Sequence, residues 1–504
     1  MGEYKNKGPV LAQYTIRSKQ EYIFKTNRIV EIVGASENIS TAWEKLFACA
    51  EKMEMKVQKG DGNYNHANVL EAFEKRELNL VELFCGGGND TLLFDSFDSY
   101  KRLNEFFSFT LLKECPGMIP MSVCVEASND YKADYEKLMS VQDIEKNKMT
   151  PGQDNFILPF SLMDKDTYLP MTRIDSFNGE QVRYSEESYS KRKKGIEKRD
   201  SDKSIKYLDD MVTKKGEESM LAIVHADGNN MGSKIMSMLA DKSSYDDCVN
   251  MMREFTADTA MAFSKNGIKK LEEKKEELLR TKKGKDKALA YRVLIADGDD
   301  VTFICNASYA MDYVEAYINA VQSYNSKWQY SSCAGICIFH SHYPVAKAYD
   351  IAEQACDDGA KKMVHKVDED GKALIIEEGW VDFHYIHSGI GGNLEGIRKN
   401  QNTLDCMARP WQISGEKKTA FTLEKLKELS IVVRECKVAR SSMKSICAAY
   451  EESEETGKIA VKRIFNHNND FERRVSAIFG DEVERLKALY DYGEVMDLWY
   501  KGDR

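Results

Sequence analysis

One order of elements occurs twice in this chain, and that repeat limits the available folds more than any other feature. In the second copy, residues 221–227 (Leu-Ala-Ile-Val-His-Ala-Asp) form a short apolar run that suits a buried strand. The turn Gly228-Asn229-Asn230-Met231-Gly232 and a long helical pattern follow. Two strand-like runs, 291–296 and 301–305, then flank the tetrad Asp297-Gly298-Asp299-Asp300. Helical spacing returns over 309–324, a strand over 332–339 and a helix over about 344–364. The first copy has a strand at 10–15 and a helical stretch from Gln20 past Trp43. Strands at 80–85 and 91–94 flank Gly86-Gly87-Gly88-Asn89, and a helix at 100–112 and a strand at 119–125 complete the set.

The repeat predicts an α+β fold with two ferredoxin-like (βαββαβ) palm domains. Arg17 to Gly88 spans 71 residues and Asp227 to Asp299 spans 72, so the copies are offset by 210 residues at one point and 211 at the other. Superimposed in this way, Arg17 falls at Asp227, and Gly88 and Asn89 fall at Asp299 and Asp300. The first copy therefore lacks the carboxylate at all three places, and Asp90 comes one position late. One acidic copy and one depleted copy imply a division of labour. After about residue 395 the pattern is helical, with apolar spacing at Leu423, Leu426, Leu429, Val432 and Val433. The expected division is 1–150 for the first palm, 151–215 for a charged linker or insertion, 216–395 for the second palm and 396–504 for a helical domain. The stretch Arg183–Lys206 reads as exposed and polar.

A chain of 504 residues is too long for one core, which agrees with several domains. Net charge is −10, so no global basic field draws it to nucleic acid. The lysines from Lys269 to Lys283 alternate with Glu272, Glu273, Glu276 and Glu277, as on a solvated helix with i,i+4 pairs. The 12 cysteines include no Cys-x-x-Cys pair and sit mostly in apolar runs, which fits buried thiols in a reducing compartment. No zinc site is expected. The eight histidines form no evident cluster, and structural roles are expected for all of them, although His225 shares a strand face with Asp227. The N-terminus has no signal-peptide core and no run approaches a membrane span, so a cytoplasmic location is expected.

Two-metal phosphoryl transfer needs carboxylates gathered from separate strands. Asp227 ends the first strand of its copy, and Asp299 and Asp300 sit at the hairpin beside it. Mg²⁺ or Mn²⁺ held there suits oxygen ligands and substrate phosphates. The turn Gly228, Asn229, Asn230, Gly232 opens a helix whose backbone amides suit a triphosphate. Lys234 follows in its first turn, and Lys361 is a second candidate for the terminal phosphate. An Asp-Gly pair between apolar runs is also a plain hairpin signal. The coincidence of both motifs at corresponding places in a repeat favours the metal site.

These residues resemble the large polymerase/cyclase subunit family of type III CRISPR effector complexes. The resemblance rests on residues 16–24 (Ile-Arg-Ser-Lys-Gln-Glu-Tyr-Ile-Phe), on Gly34-Ala35-Ser36, and on the degenerate Gly86-Gly87-Gly88-Asn89 hairpin. In the second copy it rests on residues 225–232, on Asp297-Gly298-Asp299-Asp300 and on residues 332–336. It implies joining of ATP by 3′–5′ linkage into cyclic oligoadenylate messengers with Mg²⁺ or Mn²⁺. It places Asp227, Asp299 and Asp300 on metal. Nucleotide would be bound by the 228–232 turn, Lys234, Asp297, Gly298 and Lys361, and by Gly34, Ala35, Ser36, Gly87 and Gly88 of the first palm. Implied partners are nucleoside triphosphates, guide or target RNA, and other effector subunits through the C-terminal helices, with no membrane. The family tetrad begins with Gly where this chain has Asp297. The nuclease domain that often precedes the first palm has no counterpart here, so DNA cutting is not expected. The zinc-binding cysteine pairs often found between the palms also have no counterpart, which favours a stand-alone relative. The alternatives are a non-catalytic nucleotide-binding or scaffold subunit, a template-dependent polymerase and a diguanylate-type cyclase.

Overall fold

The structure is a computed structural model that describes residues 8–60, 68–86, 88–128, 130–148, 160–177, 180–202, 211, 219–240, 244–281, 290–367, 373–387, 392–401, 405–416 and 418–499. The chain divides into two compact units. The first holds Met1–Lys206, Met231–Ser264 and Leu294–Asp299, and the second holds Tyr207–Asn230, Lys265–Val293 and Asp300–Arg504.

The first copy runs β1 (Val10–Arg17), α1 (Lys19–Phe24), α2 (Ile29–Ser40), α3 (Ala42–Lys52), β2 (Val57–Gln58), α4 (Val69–Glu74), β3 (Leu80–Gly86), β4 (Asn89–Phe94), α5 (Phe97–Glu114), β5 (Ile119–Glu126) and α6 (Tyr131–Lys148). Its sheet order is β2-β3-β4-β1-β5, with β1 antiparallel to both β4 and β5. β1 is buried along nearly its whole length, which explains its near-continuous apolar run. Tyr14 of β1 meets Phe94, Tyr100 and Phe107 at ring distances of 6.4, 6.1 and 6.1 Å, and so ties α5 to the sheet.

The hairpin β6 (Met171–Phe177) and β7 (Glu180–Ser185) leads into α7 (Glu186–Asp202). Here the structure corrects the reading of Arg183–Lys206 as an exposed linker. α7 packs against α2, with Lys191, Glu187 and Ser188 buried; residues 203–206 lie outside the described residues. Lys191 is satisfied inside: its ammonium donates to Glu187 and to the Tyr22 carbonyl, each at 2.5 Å, and lies 3.9 Å from the Tyr22 ring centre. Charge density along a sequence does not report such pairing. The close crossing needs glycine, because a Cβ on Gly34 would lie 1.7 Å from the Lys191 carbonyl oxygen.

The second copy runs β8 (Met220–Gly228), α8 (Met231–Ala240), α9 (Tyr245–Ala260), a π-helical turn (Met261–Gly267), α10 (Ile268–Thr281), β9 (Tyr291–Asp297), β10 (Asp300–Asn306), α11 (Ala310–Gln322), β11 (Ser332–His340) and α12 (Val345–Gln354). β12 (Lys366–Val367), β13 (Ala373–Leu374), β14 (Gly379–Tyr385), α13 (Leu394–Asn400) and β15 (Trp411–Ser414) follow. The sheet order is β15-β14-β11-β8-β10-β9. Its β11-β8-β10-β9 portion has the order of β5-β1-β4-β3, so the predicted α+β repeat of palm folds is present. The single helix expected over 344–364 changes winding. α12 ends at Gln354, a π-turn spans Ala355–Gly359 and a 3₁₀ turn spans Ala360–Met363. The exposed pairs Lys270–Glu273 and Lys274–Glu277 on α10 match the solvated-helix reading.

Five helices close the chain: α14 (Leu423–Glu435), α15 (Arg440–Glu452), α16 (Glu454–His467), α17 (Asn469–Ile478) and α18 (Glu482–Val495). Thr422, Ser453, Asn468 and Asp481 cap four of them with their side chains. α18 is anchored by the buried Arg409, whose guanidinium binds Asp491 and Glu494. Among the described residues no helix is long and apolar enough to cross a membrane.

Gly34→Ala forces α2 off α7 and is expected to cost roughly 1–3 kcal/mol in denaturant unfolding of the intact chain. His384, buried in β14, supplies a pH test. Burial, aided by Arg398, pushes its pKa down from 6.5 to about 3. The folded ring therefore stays neutral while the unfolded ring takes up a proton. Stability is expected to fall as pH drops from about 6.5 towards 3, by up to roughly 1.4 kcal/mol per pH unit. A His384→Gln variant should show a shallower acid slope over that window.

Candidate functional site

The site begins with the ladder between β8 and β10. Val301 pairs with Ala226 and Thr302 with His225, so the next step of the same register sets Asp300 opposite Asp227. Residues two apart on a strand share a face. His225, Asp227, Asp300 and Thr302 therefore project together, with Cys333 of β11 opposite Asp227 on the other side. His225 Nδ1 lies 3.1 Å from Thr302 Oγ1 and 3.4 Å from Asp300 Oδ1.

The chain after α12 supplies the cation. Gly335 lets this segment sit directly on β11, since a Cβ there would lie 1.9 Å from the Ala352 carbonyl oxygen and 2.4 Å from Cys356 N. The π-turn and 3₁₀ turn then carry Lys361 to an ion pair with Asp227, and Lys361 also lies 3.6 Å from Asp357. Burial alone pushes the Asp227 carboxyl up, but the Lys361 cation more than reverses this and leaves it below the usual carboxylate range. Burial works against the Lys361 ammonium in turn, and Asp227 outweighs it, so the lysine is held charged. Glu353 completes the acidic surround. Burial raises its pKa, and it accepts a 3.1 Å hydrogen bond from Tyr349, whose ring stands edge-on to His225.

The predicted residues fall into groups. Asp227, Asp300 and Lys361 come together. Asp297, Gly298 and Asp299 form the turn between β9 and β10, half-buried, with Gly298 at φ +62° as a tight turn requires. Gly228 ends β8. Asn229 and Asn230 brace the turn: Asn229 donates to Ser331 Oγ and to the Glu378 carbonyl, both at 2.8 Å, and Asn230 donates to the Ile376 carbonyl at 3.3 Å. Gly232 is open, with nothing within 4 Å of an added Cβ, and Lys234 is buried. Gly34 and Ala35 are buried, Gly34 against α7, so that segment leaves only Ser36 partly exposed. Gly88 turns at φ +72°, and Gly87 lies outside the described residues. Within the first unit the two hairpin turns approach each other: a Cβ on Gly86 would lie 3.3 Å from Gly298 Cα.

The ladder corrects one equivalence. Asn89 begins β4 as Asp300 begins β10, and Asn89 pairs with Thr15. Thr15 therefore stands where Asp227 stands, and Arg17 lies two residues further on, because β1 runs longer past its hairpin. The first copy remains without a carboxylate there. Asp90 pairs with Tyr14 and so faces the opposite side of the sheet. It is fully buried, and burial pushes its pKa well up. Arg17, Lys19 and Lys146 line a depression with Thr15 and Asn89, which is basic where the second copy is acidic.

Sequence reasoning missed Glu353, Cys356 and Asp357, and gave His225 a structural role although it set it on the face of Asp227. The i,i+4,i+8 spacing of Glu353, Asp357 and Lys361 was an available signal, as was the two-residue step from His225 to Asp227.

This arrangement, acidic residues on the central strands of a palm sheet, defines the class, and residues 220–368 match the family model for the Cas10/Cmr2 second palm domain. The chain is Cas10-like in this domain, as the type III CRISPR resemblance implied. No curated protein matches it. Among solved structures it is similar to a Csm1–Csm4 cassette in complex with cA4, at 10% identity and TM-score 0.51, over 97% of this chain and 70% of that one. It is also similar to Csm1 of T. onnurineus, at 11% identity and TM-score 0.49, over 98% and 70%. For a Csm1–Csm4 cassette in complex with AMPPNP the values are 11% and 0.43, over 71% of this chain and 54% of that one. The chain thus spans about half the length of that last relative. At 10% identity the likeness to the first of these is one of fold.

Removing Lys361 strips the counter-ion from a mostly buried carboxylate. Lys361→Met is expected to lower stability by roughly 3 kcal/mol in metal-free buffer. Lys361→Met/Asp227→Asn should recover most of that loss in the same denaturant titration.

Proposed function

We propose that this chain is a metal-dependent nucleotidyltransferase that joins ATP into 3′–5′-linked cyclic oligoadenylate-type messengers in antiviral defence. The observation that carries this reading is the facing pair Asp227 and Asp300 on adjacent strands, with Lys361 as the charge beside it. The donor set fits Mg²⁺ or Mn²⁺: two carboxylates share a face, and a cation already balances one of them. Asp227 and Asp300 would hold the ion, with Asp299 next in the chain as a third ligand. A bound ion pair would activate the 3′-hydroxyl and stabilise the leaving pyrophosphate.

The chain's own groups would then divide the work. The 3′-oxygen would form a bond to the α-phosphorus as the bond to pyrophosphate breaks, with the hydroxyl proton passing to solvent. Asn229 and Asn230 hold the turn rigid, so the backbone at Gly228 and the open Gly232 can meet phosphate oxygens closely. Lys361, whose ammonium pairs with Asp227 here, would be placed to meet the polyphosphate if Asp227 held a metal ion instead. The basic depression at Arg17, Lys19 and Lys146 would give the first palm an anion-binding role. Guide or target RNA and other effector subunits, met through the C-terminal helices, are proposed partners.

The Lys361–Asp227 ion pair also favours a second reading, in which nucleotide binds without turnover. Incubation of the chain with labelled ATP and Mn²⁺, followed by chromatography and mass analysis, separates the two. Turnover predicts a phosphodiester-linked product that falls at least about 100-fold in Asp227→Asn and in Asp300→Asn. Bound ATP with no product, with and without added target RNA, would leave the binding reading.

A further inference from the structure

We propose a second cation site in the second palm, for a thiophilic divalent ion of the zinc class, formed by His225, Cys356 and Asp357. The ligand atoms of these three side chains lie within 4.8 Å of one another, the only such group of three or more among the described residues. An ion with bonds of about 2.0–2.3 Å sets tetrahedral ligands roughly 3.3–3.8 Å apart, so closure asks for about an ångström of movement. The site does not depend on nucleotidyl transfer, and it differs from the Asp227–Asp300 pair in donor chemistry. Sulfur and imidazole nitrogen select zinc-like ions, while carboxylates alone suit Mg²⁺ and Mn²⁺.

Three features support it. The first is the orientation of His225. Its Nδ1 is held by Thr302 Oγ1 and Asp300 Oδ1, which leaves Nε2 as the nitrogen for an ion. A carboxylate behind a ligating histidine is the usual support of such a site. The second is the backbone. The π-turn Ala355–Gly359 carries Cys356 and Asp357, and Gly359 packs so tightly that an added Cβ would lie 2.1 Å from Asp382 Oδ2. The third is access. Cys356 is fully buried and His225 nearly so, while the Asp357 side chain is 53% exposed and opens the group to solvent. The Cys356 thiol now rests on the Cys333 carbonyl oxygen at 3.5 Å. An entering ion would displace its proton to solvent and take the thiolate, while Lys361 keeps its pairing with Asp227.

The test uses Co²⁺ as the probe on the metal-free full chain, read by absorption. One equivalent is expected to produce a thiolate-to-cobalt charge-transfer band, which one equivalent of Zn²⁺ removes. Cys356→Ser should abolish the band. Asp357→Ala, which changes an exposed side chain and leaves the fold intact, should weaken Co²⁺ binding at least 10-fold. Asp227→Asn should keep the band, which separates this site from the proposed nucleotidyl-transfer metal. No band in the wild-type chain, or a band that survives in Cys356→Ser, would overturn the assignment.

Discussion

The second palm depends on one electrostatic constraint: Asp227, Asp300 and Glu353 converge where water is scarce, with Asp357 at the solvent edge. Half-buried among them, the Asp227 carboxylate needs a cation beside it. Lys361 provides it, and the local structure serves to bring it there. Gly335 lets the segment after α12 touch the sheet, and Gly359 lets the π-turn settle against Asp382. The 3₁₀ turn then aims Lys361 at Asp227. A regular α-helix continued past Gln354 would rotate Asp357 and Lys361 by different amounts. The change of winding is therefore part of the site.

The β-ladders were the most legible part of the sequence. Strand runs with β-branched and apolar residues fixed β1, β3, β4, β5, β8, β9, β10 and β11 to within two residues at either end, because buried strands admit few alternatives. The apolar spacing that begins at Leu423 falls on a helix that the structure starts at the same residue, capped by Thr422. The winding change inside 344–364 was invisible, because π- and 3₁₀-segments of five and four residues are too short to show a period of their own. Buried charge was equally hidden. Lys191 looks like a solvent residue in a run of Lys and Arg, and only its meeting with Glu187 and Tyr22 explains why it lies inside.

For the site, the carboxylates were legible because a strand end and a hairpin announce themselves by spacing. Their surround was not, because Glu353, Cys356 and Asp357 come from a helix about 130 residues away in the chain from His225. Asn229 and Asn230 show the reverse case. Their position in a phosphate-type turn drew attention, yet their side-chain amides are engaged by the backbone of 376–378. Their contribution is to shape the turn, and any contact with an anion falls to backbone amides. Gly34 shows the same separation of motif from role, since its missing Cβ serves the α2–α7 contact.

The two copies share a strand order but answer the same position with opposite chemistry. Where the second has Asp227 and Asp300, the first has Thr15 and Asn89, with Arg17 and Lys19 beside them. Its one nearby carboxyl, Asp90, cannot stand in, because a single-residue step along a strand turns the side chain to the other face. Burial there also disfavours the charged form of Asp90. A depression of that charge repels cations and attracts anions. One shared strand order thus carries opposite charge at the same ladder position in the two copies.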